Sequence, residues 1–485
     1  MPQVDVPFPT SNAPGLAAGE GMGRLINCYA YKEGTGQRWR ALPGLKALAL
    51  TSALPAGPLR GLLLVGSLLY AVVGGQACII GADLSVTVLG GTVSGTGPVT
   101  MARNNALVPD IVVVTNLGNL VIAKPGPNQQ QTVQQYPDGT LPQCNSVDFL
   151  DGYFLFTTRD GFLWSSGLNT TTIGQATDAT TGASISDPLA FAKAEARPDG
   201  LLRGVVFGPS YLAMGDDTIE VWQDAATDHY PLARVTVIPI GLYGPWAVAG
   251  TQAGWNEALI FVASDRSVRR LDGYTPTRIS PVELDRLIEG IADPTTLIAS
   301  VYTFGSQAIW SLSCPDWTWE YNVATNAWHE RQSKSTGFAR WRASLSVKTA
   351  WGWVFGDVST ADLVTLDEVG LQEVGDALTW GLDSAPVKQF PARLAVPDVF
   401  YDFVLGTAPQ GVDPQVLLSW SKDGGYTWGN PLSRSLGVQG AAVGPIRLRR
   451  LGLSSHHGIM HRFRISDPVY TSFAGARMDA TQRRP

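Results

Sequence analysis

The chain has 485 residues, of which 45% are hydrophobic and 16% are charged, so it can form several domains with sizeable cores. Its net charge of −6 excludes a uniformly basic nucleic-acid-binding protein. We expect neither a membrane span nor a signal peptide, because there is no long apolar run and no basic start.

The N-terminal 37 residues are rich in Gly, Pro and small polar residues, and we expect them to form an arm that contacts a neighbouring subunit. Their glycine-rich stretch, residues 19–23, does not follow a strand and therefore does not indicate a dinucleotide site. Residues 39–50 (WRALPGLKALAL) form a candidate strand that closes the last unit of the repeat described next.

Residues 38–374 contain repeated groups of two or three apolar β-type runs separated by Gly, Asp or Asn turns. Seven such groups begin roughly 40 to 50 residues apart, which is the spacing of four-stranded propeller blades. Two of them could merge, so the pattern predicts a six- or seven-bladed β-propeller. A set of β-sandwiches is the alternative, although it explains the regular spacing less well.

One segment, residues 280–292, has a helical pattern and predicts an excursion between two blades. Ser280 and Glu283 fit a capping box, and Pro281 fits the first turn. The predicted apolar face consists of Leu284, Leu287, Ile288 and Ile291.

The pattern changes at residue 375, and residues 375–485 predict a C-terminal antiparallel β-sandwich-like domain, so the whole chain is predicted to be all-β. This region has twelve Lys/Arg and eight Asp/Glu, a balance of +4, which leaves −10 for the first 374 residues. Such a split concerns contacts and solubility rather than fold.

The sharpest local motif, S-x-D-x-G-x-T-W, resembles the Asp-box of sialidases and other propellers. It predicts a structural hairpin in which the Asp binds turn amides and glycines allow positive φ, and it does not predict catalysis. Its residues are Ser421, Asp423, Gly425, Thr427 and Trp428.

Five arginines near the C-terminus are candidates for contact with a partner protein or with phosphate, and an exposed sheet face is the alternative. They are Arg447, Arg449, Arg450, Arg462 and Arg464. The nearby His456, His457 and His461 do not fit a metal site, because Gly458 indicates a loop that enters a strand.

We expect no catalytic, cofactor or metal residues in this chain. Carboxylates such as Asp216, Asp217, Glu220 and Asp224 are numerous, but turn acids of this kind are usually solvated. The four cysteines (Cys28, Cys78, Cys144 and Cys314) lie far apart and predict buried thiols in a reducing compartment.

Several separated segments resemble the packaged-DNA stabilisation, or tail hub, proteins of short-tailed bacteriophages. The segments are Asn27-Cys-Tyr29, Leu42-Pro-Gly-Leu45, Arg197-Pro-Asp-Gly200, Thr218-Ile-Glu-Val-Trp222, and Ile446-Arg-Leu-Arg-Arg450. Their order spans nearly the whole chain.

The resemblance implies a structural virion protein of the phage tail, made in the host cytoplasm, and not an enzyme. It implies a homohexameric hub or nozzle ring below the portal-adaptor complex, in contact with distal tail proteins. The ring would retain packaged DNA and pass it during ejection without sequence-specific binding. A sialidase-like or other carbohydrate-active propeller enzyme is the alternative, and a monomeric interaction scaffold is a third possibility.

Overall fold

The structure is a computed structural model and describes residues 3–34, 36–126, 129–441 and 444–483. Apolar runs that alternate with Gly- and Asp-bearing turns favour short antiparallel strands, and strands dominate the chain. The N-terminal region contributes β1 Gln3–Val6, β2 Gly23–Ile26, β3 Cys28–Glu33, β4 Gly36–Ala41 and β5 Gly44–Ala47.

Four four-stranded sheets follow, each with its strands in chain order. Blade 1 has β6 Leu59–Val65, β7 Leu68–Val73, β8 Gln76–Ile80 and β9 Val86–Val88. Blade 2 has β10 Thr100–Arg103, β11 Ile111–Thr115, β12 Gly118–Ala123 and β13 Thr132–Gln135. Blade 3 has β14 Ser146–Leu150, β15 Tyr153–Thr157, β16 Phe162–Ser165 and β17 Phe191–Lys193. Blade 4 has β18 Leu201–Phe207, β19 Ser210–Gly215, β20 Ile219–Asp224 and β21 Leu232–Ile238.

Three further blades complete the propeller of the described residues. Blade 5 has β22 Val248–Ala249, β23 Leu259–Val262, β24 Val268–Asp272 and β25 Thr275–Arg278, followed by helix α1 Val282–Glu289. Blade 6 has β26 Ile298–Phe304, β27 Gln307–Ser313, β28 Thr318–Asn322 and β29 Ala327–Glu330. Blade 7 has β30 Ala343–Thr349, β31 Gly352–Asp357 and β32 Leu363–Asp367. Short 3₁₀ turns lie at Pro294–Thr296 and Lys334–Thr336.

The remaining strands form small extensions of blade 7 and most of the sandwich. They are β33 Gln372–Glu373, β34 Asp376–Ala377, β35 Trp380–Ser384, β36 Arg393–Phe403, β37 Gln415–Ser421, β38 Leu432–Ser435, β39 Ile446–Leu453, β40 Met460–Ile465 and β41 Ser472–Arg483. One sandwich sheet has the order β3-β4-β41-β36-β39, and β1 also pairs with β41. The other contains β2, β35, β40, β37 and β38.

Separate apolar cores lie between successive blades, as expected when a sheet cannot cover both of its own faces. The core between blades 7 and 1 closes the ring and contains Leu69, Ala71 and Val354. The innermost strands β30 and β6 are also in contact. The predicted all-β fold of a six- or seven-bladed propeller with a C-terminal sandwich is therefore confirmed, with seven blades in the described residues.

The fourth strand of blade 7 comes from the N-terminal region. Strand β5 pairs antiparallel with β32, with Leu45 opposite Leu366 and Lys46 opposite Thr365. Leu45 is 2% exposed and lies in the largest apolar core. The predicted closing strand within residues 39–50 thus begins at Gly44, whereas residues 39–41 lie in β4 of the sandwich.

The N-terminal residues also join the propeller to the sandwich. Strand β2 lies between β29 of blade 6 and β35 of the sandwich, so one nine-stranded sheet runs through both. Strand β1 pairs with β41 of the same chain. The arm expected for residues 1–37 is thus largely paired with its own chain. The proposed limits 1–37, 38–374 and 375–485 stay predictions.

Helix α1 is shorter than its sequence pattern, and its predicted capping box is wrong. The residue before the helix is Pro281, and no side chain caps that end. Ser280 Oγ instead donates to Asp285 Oδ1 at 2.5 Å and accepts from the amide of Val268 at 2.9 Å. The Ser280 hydroxyl is therefore bonded to strand β24 of blade 5 and does not cap the helix. Leu284 and Ile288 are buried as predicted, whereas Leu287 of the same predicted face is 39% exposed.

We expect Leu45→Ala to lower the free energy of unfolding by about 2–5 kcal/mol, because it leaves a cavity in the largest apolar core, beneath the strand that completes blade 7. Lys46→Ala on the same strand is the matched control, with a change within about 0.5 kcal/mol, since Lys46 is exposed. Urea unfolding measures both. Equal midpoints for the two variants would contradict a closing role for β5. Deletion of residues 1–50 should unfold the propeller altogether.

Candidate functional site

The Asp-box motif forms the connection between β37 and β38. Ser421 Oγ donates to Asp423 Oδ1 at 2.6 Å and accepts from the Gly425 amide at 2.7 Å. Asp423 accepts from the amide and the hydroxyl of Thr427 at 2.9 and 2.5 Å. Burial by itself raises the pKa of Asp423, but the hydrogen bonds from Ser421 and Thr427 outweigh it and lower this pKa to about 2. The Asp423 carboxylate therefore makes its hydrogen bonds within the turn itself.

The last residue of the motif supports a neighbouring arginine. The guanidinium of Arg462 lies 3.7 Å from the centroid of the Trp428 ring, a distance that suits a cation–π contact. Gly424 and Gly425 have φ values of 73° and 101°, which explains why glycines occupy the turn. The motif therefore orders one end of the sandwich.

The five candidate arginines lie on two different sheets. Arg462 and Arg464 belong to β40 and bind the buried Asp383, with distances of 2.7–2.8 Å. Arg447, on β39, pairs with Asp398 at 2.9 Å. The sequence-predicted contact residues thus do not form one group, because two of them are engaged in an internal ion pair.

The other two candidates on β39 are available at the surface. Arg449 and Arg450 are exposed and have no ion-pair partner among the described residues. Arg450 has a φ of 62° and lies at a register shift between β36 and β39, which indicates a β-bulge. Leu448 and Leu451 of the same strand point into the core. Strand β39 therefore buries its leucines in the core and exposes its arginines to solvent.

A row of alternating charges crosses the junction between propeller and sandwich. Glu330 of blade 6 accepts from Arg24 Nε on β2 at 2.9 Å, and Arg24 lies opposite Asp383 of β35. Burial by itself raises the pKa of Asp383, but Arg464, Arg462 and Arg24 together lower it below its ordinary value. These charges on adjacent strands fix how the sandwich is attached to blade 6.

Blade 6 also contains a buried polar group that the sequence analysis missed. The hydroxyl of Tyr302 lies 3.1 and 3.0 Å from the two carboxylate oxygens of Glu320, and His329 Nε2 lies 2.9 Å from Glu320 Oε2. All three side chains are almost completely buried. Burial raises the pKa of Tyr302 well above its ordinary value. The group cross-links three strands of the blade that carries the sandwich.

His461 and the four cysteines have buried, structural environments. His461 is buried, its Nδ1 lies 2.9 Å from the Tyr401 hydroxyl, and burial lowers its pKa to about 3. The four cysteines are free and buried, and burial raises the pKa of Cys28 and Cys78 to about 12. Among the described residues no three His, Cys, Asp or Glu side chains are grouped as metal ligands. In the same residues, no helix is long and apolar enough to cross a membrane.

The carboxylates considered as glycosidase candidates have separate roles. Asp216 pairs with Arg159 at 2.8 Å, while Glu220 is buried and accepts from Arg234 at 3.3 Å. Asp224 accepts from the amide of Ala226 at 2.9 Å in a turn. Each of these three carboxylates thus has a local partner.

Two loops of blades 3 and 4 form an acidic lobe, defined here as residues 166–190 and 224–231. They are joined by an ion pair between His229 Nδ1 and Asp187 Oδ2 at 2.7 Å. Neither loop contains Lys or Arg, and no Lys or Arg occurs in residues 160–192 or 204–233. Asp178, Asp224 and Asp228 are the other acids of the lobe. This gap in basic residues is visible in the sequence and could have predicted the lobe.

Two family models match most of the chain. "Bacteriophage P22 Gp10, beta-propeller" matches residues 35–369, and "Bacteriophage P22 Gp10, beta-sandwich" matches residues 379–481. The chain belongs to the bacteriophage P22 Gp10 family. As a Gp10-family member it is a structural protein of a phage virion, in the DNA-stabilisation and tail hub class, and the resemblance found in the sequence is confirmed.

Other comparisons are more distant. The WD40 β-propeller domain of Doa1 is 9% identical with a TM-score of 0.41, over 67% of this chain and 98% of that one. The computationally designed Ika8 protein is 12% identical with a TM-score of 0.36, over 75% of this chain and 98% of that one. A search of curated proteins finds no match to this Gp10-family chain.

We expect Asp383→Asn in this Gp10-family chain to lower the free energy of unfolding by about 3–5 kcal/mol, because two arginines lose their buried counter-charge. Asp398→Asn is the matched control, with a much smaller loss, since its partner Arg447 is exposed and solvent screens the pair. Urea unfolding gives both values. Similar losses in the two variants would show that the junction charges do not hold the sandwich in place.

The lobe of this Gp10-family chain should respond to pH. The hydrogen bond to Asp187, followed by its charge, raises the pKa of His229. Burial by itself raises the pKa of Asp187, but the hydrogen bonds from His229 and from the Leu189 amide, together with the charge of His229, lower this pKa below its ordinary value. The histidine's contribution is complete below its unfolded pKa of about 6.5 and is lost as pH rises through its folded pKa. The aspartate's contribution is present above about pH 4 and is lost as pH falls.

Hydrogen exchange in residues 166–190 tests this dependence. At about pH 5.5, between those two limits, His229→Gln should exchange faster than the wild type, and at about pH 9 the two should be equal. Comparison at each pH cancels the intrinsic change of exchange rate. His457→Gln, on an exposed loop of the sandwich, should match the wild type throughout. A pH-independent difference would contradict the role of the charged imidazole.

Proposed function

We propose that this chain forms a homohexameric hub or nozzle ring in the phage tail, below the portal-adaptor complex and in contact with distal tail proteins. The ring retains packaged DNA and passes it during ejection. One observation carries the proposal: both domain models of a single structural phage family match in order, over residues 35–369 and 379–481. Closed symmetric rings are the usual form of such assemblies.

The charge distribution fits a protein that surrounds DNA without binding it. The first 374 residues carry −10. Several acidic propellers around a channel repel phosphates and keep the duplex from adhering to the wall. The positive balance of the sandwich region, +4, suits contact with an acidic neighbour.

The connection between propeller and sandwich suits a subunit that transmits force along the tail. Propeller and sandwich share a continuous sheet across β29, β2 and β35, and the pairs of Arg24 with Glu330 and of Asp383 with Arg462 lie on that sheet. A connection of this kind resists bending more than a flexible linker does. The sandwich of each subunit thus keeps a set position relative to its propeller.

We propose a structural rather than a catalytic role. The family is structural, and the Asp423 carboxylate of the Asp-box accepts hydrogen bonds from Ser421 and Thr427 within its own turn. The buried free thiols suit synthesis in the reducing host cytoplasm. A sialidase-like activity is the competing function, and it predicts turnover of a glycan by the purified chain.

Electron microscopy of the purified chain, with its mass measured in solution, tests this function. We expect rings of about six subunits, formed by the chain alone or after addition of portal-adaptor complexes. A monomer that ignores tail components and cleaves a glycan would replace the hub with the enzyme. Incubation of the same preparation with glycan substrates separates these outcomes.

A further inference from the structure

The strand with the free arginines lies at a sheet edge. Strand β39 is the last strand in the order β3-β4-β41-β36-β39, so its outer edge has no partner strand among the described residues. It presents Arg449 and Arg450 without ion-pair partners, and the bulge at Arg450 interrupts its ladder. Bulges and charges on an edge oppose strand addition. A partner would therefore meet this edge through its side chains rather than through a shared ladder.

An acidic surface of matching chemistry lies elsewhere on the same chain. In the acidic lobe, Asp224 and Asp228 are exposed, and the loop that is joined to theirs by the His229–Asp187 pair carries exposed apolar side chains. Leu168 is 62% exposed and Leu189 is 56% exposed, so the surface combines negative charge with apolar area. Exposed patches of this composition mark contact sites. The β39 edge, with Leu453 37% exposed, has the complementary composition.

The two surfaces belong to different parts of the molecule. The sandwich is attached beyond β29, the outer strand of blade 6, and the lobe belongs to blades 3 and 4. Blade 3 is three blades from blade 6 in the seven-bladed ring, and blade 4 is two blades from it. Among the described residues, no ion pair joins Arg449 or Arg450 to an acid of the chain's own lobe. A second copy can offer the same lobe to these arginines, and contacts between two different surfaces generate rings where the rotation between subunits closes.

We infer that the β39 arginines of one subunit dock on the acidic lobe of the next, in a head-to-tail contact that builds the ring. The occupant of the arginine edge is thus a second copy of this chain. The inference rests on the proposed ring and names its interface. Opposite charges at such a contact raise the association rate and select the partner orientation.

Charge reversal on each side tests the contact. R449E/R450E and D224K/D228K should each raise the concentration needed for self-association by about tenfold or more. The chain that carries all four changes should return to within about threefold of the wild type, because the reversed charges again attract. Lys46→Glu and Asp316→Lys, on other exposed positions, are the matched controls and should leave assembly unchanged. Sedimentation measures the association.

Two measurements keep the outcomes distinct. Thermal melting shows whether each variant is folded. If a charge-reversal variant has a lowered melting temperature, the neutral variant R449Q/R450Q or D224N/D228N is used in its place. Salt of about 1 M, where the screening length is about 3 Å, should weaken the wild type but affect the neutral variants less. Unchanged rings from both reversals would overturn this interface and leave the hub intact. A wild-type chain that stays monomeric within tails would overturn both.

Discussion

The propeller depends on a strand that comes from outside the run of its own blades. Blade 7 has three consecutive strands, and its fourth, β5, comes from residues 44–47. Because blades cover one another's faces, an open ring would expose the core between blades 7 and 1. The closing strand follows directly on β3 and β4 of the sandwich. Closure of the propeller and attachment of the sandwich are thus achieved by one stretch of chain.

This arrangement makes the sandwich an extension of blade 6. Strand β2 places Arg24 between Glu330 and Asp383, and the arginines of β40 complete the row. Each buried charge has a counter-charge on the next strand, which offsets much of the desolvation cost. The same blade is cross-linked inside by Tyr302, Glu320 and His329. Buried polar contacts thus extend from the interior of blade 6 to the strands that join it to the sandwich.

The propeller and the Asp-box could be predicted because their signals are local or periodic. Strand spacing is read along the chain, and Ser421 and Thr427 contact Asp423 within the motif itself. The internal role of Arg462 could not be predicted, since its partner Asp383 lies 79 residues earlier. The capping box failed for a similar reason, because blade 5 supplied a competing partner for Ser280. The role of such a polar residue depends on partners that are distant in the chain, and a single sequence does not show which partners these are.

Internal ion pairs also change how the net positive charge of the C-terminal region is interpreted. Its +4 is not spread over one basic surface, because Arg462 and Arg464 share the buried Asp383 and Arg447 has Asp398. Of the five candidate arginines, the two without ion-pair partners among the described residues, Arg449 and Arg450, therefore both lie on β39, at a sheet edge whose bulge discourages strand addition. A small charged edge held on a rigid sheet specifies orientation better than a diffuse basic domain would. That property is what a subunit needs in order to meet its neighbour at one fixed angle.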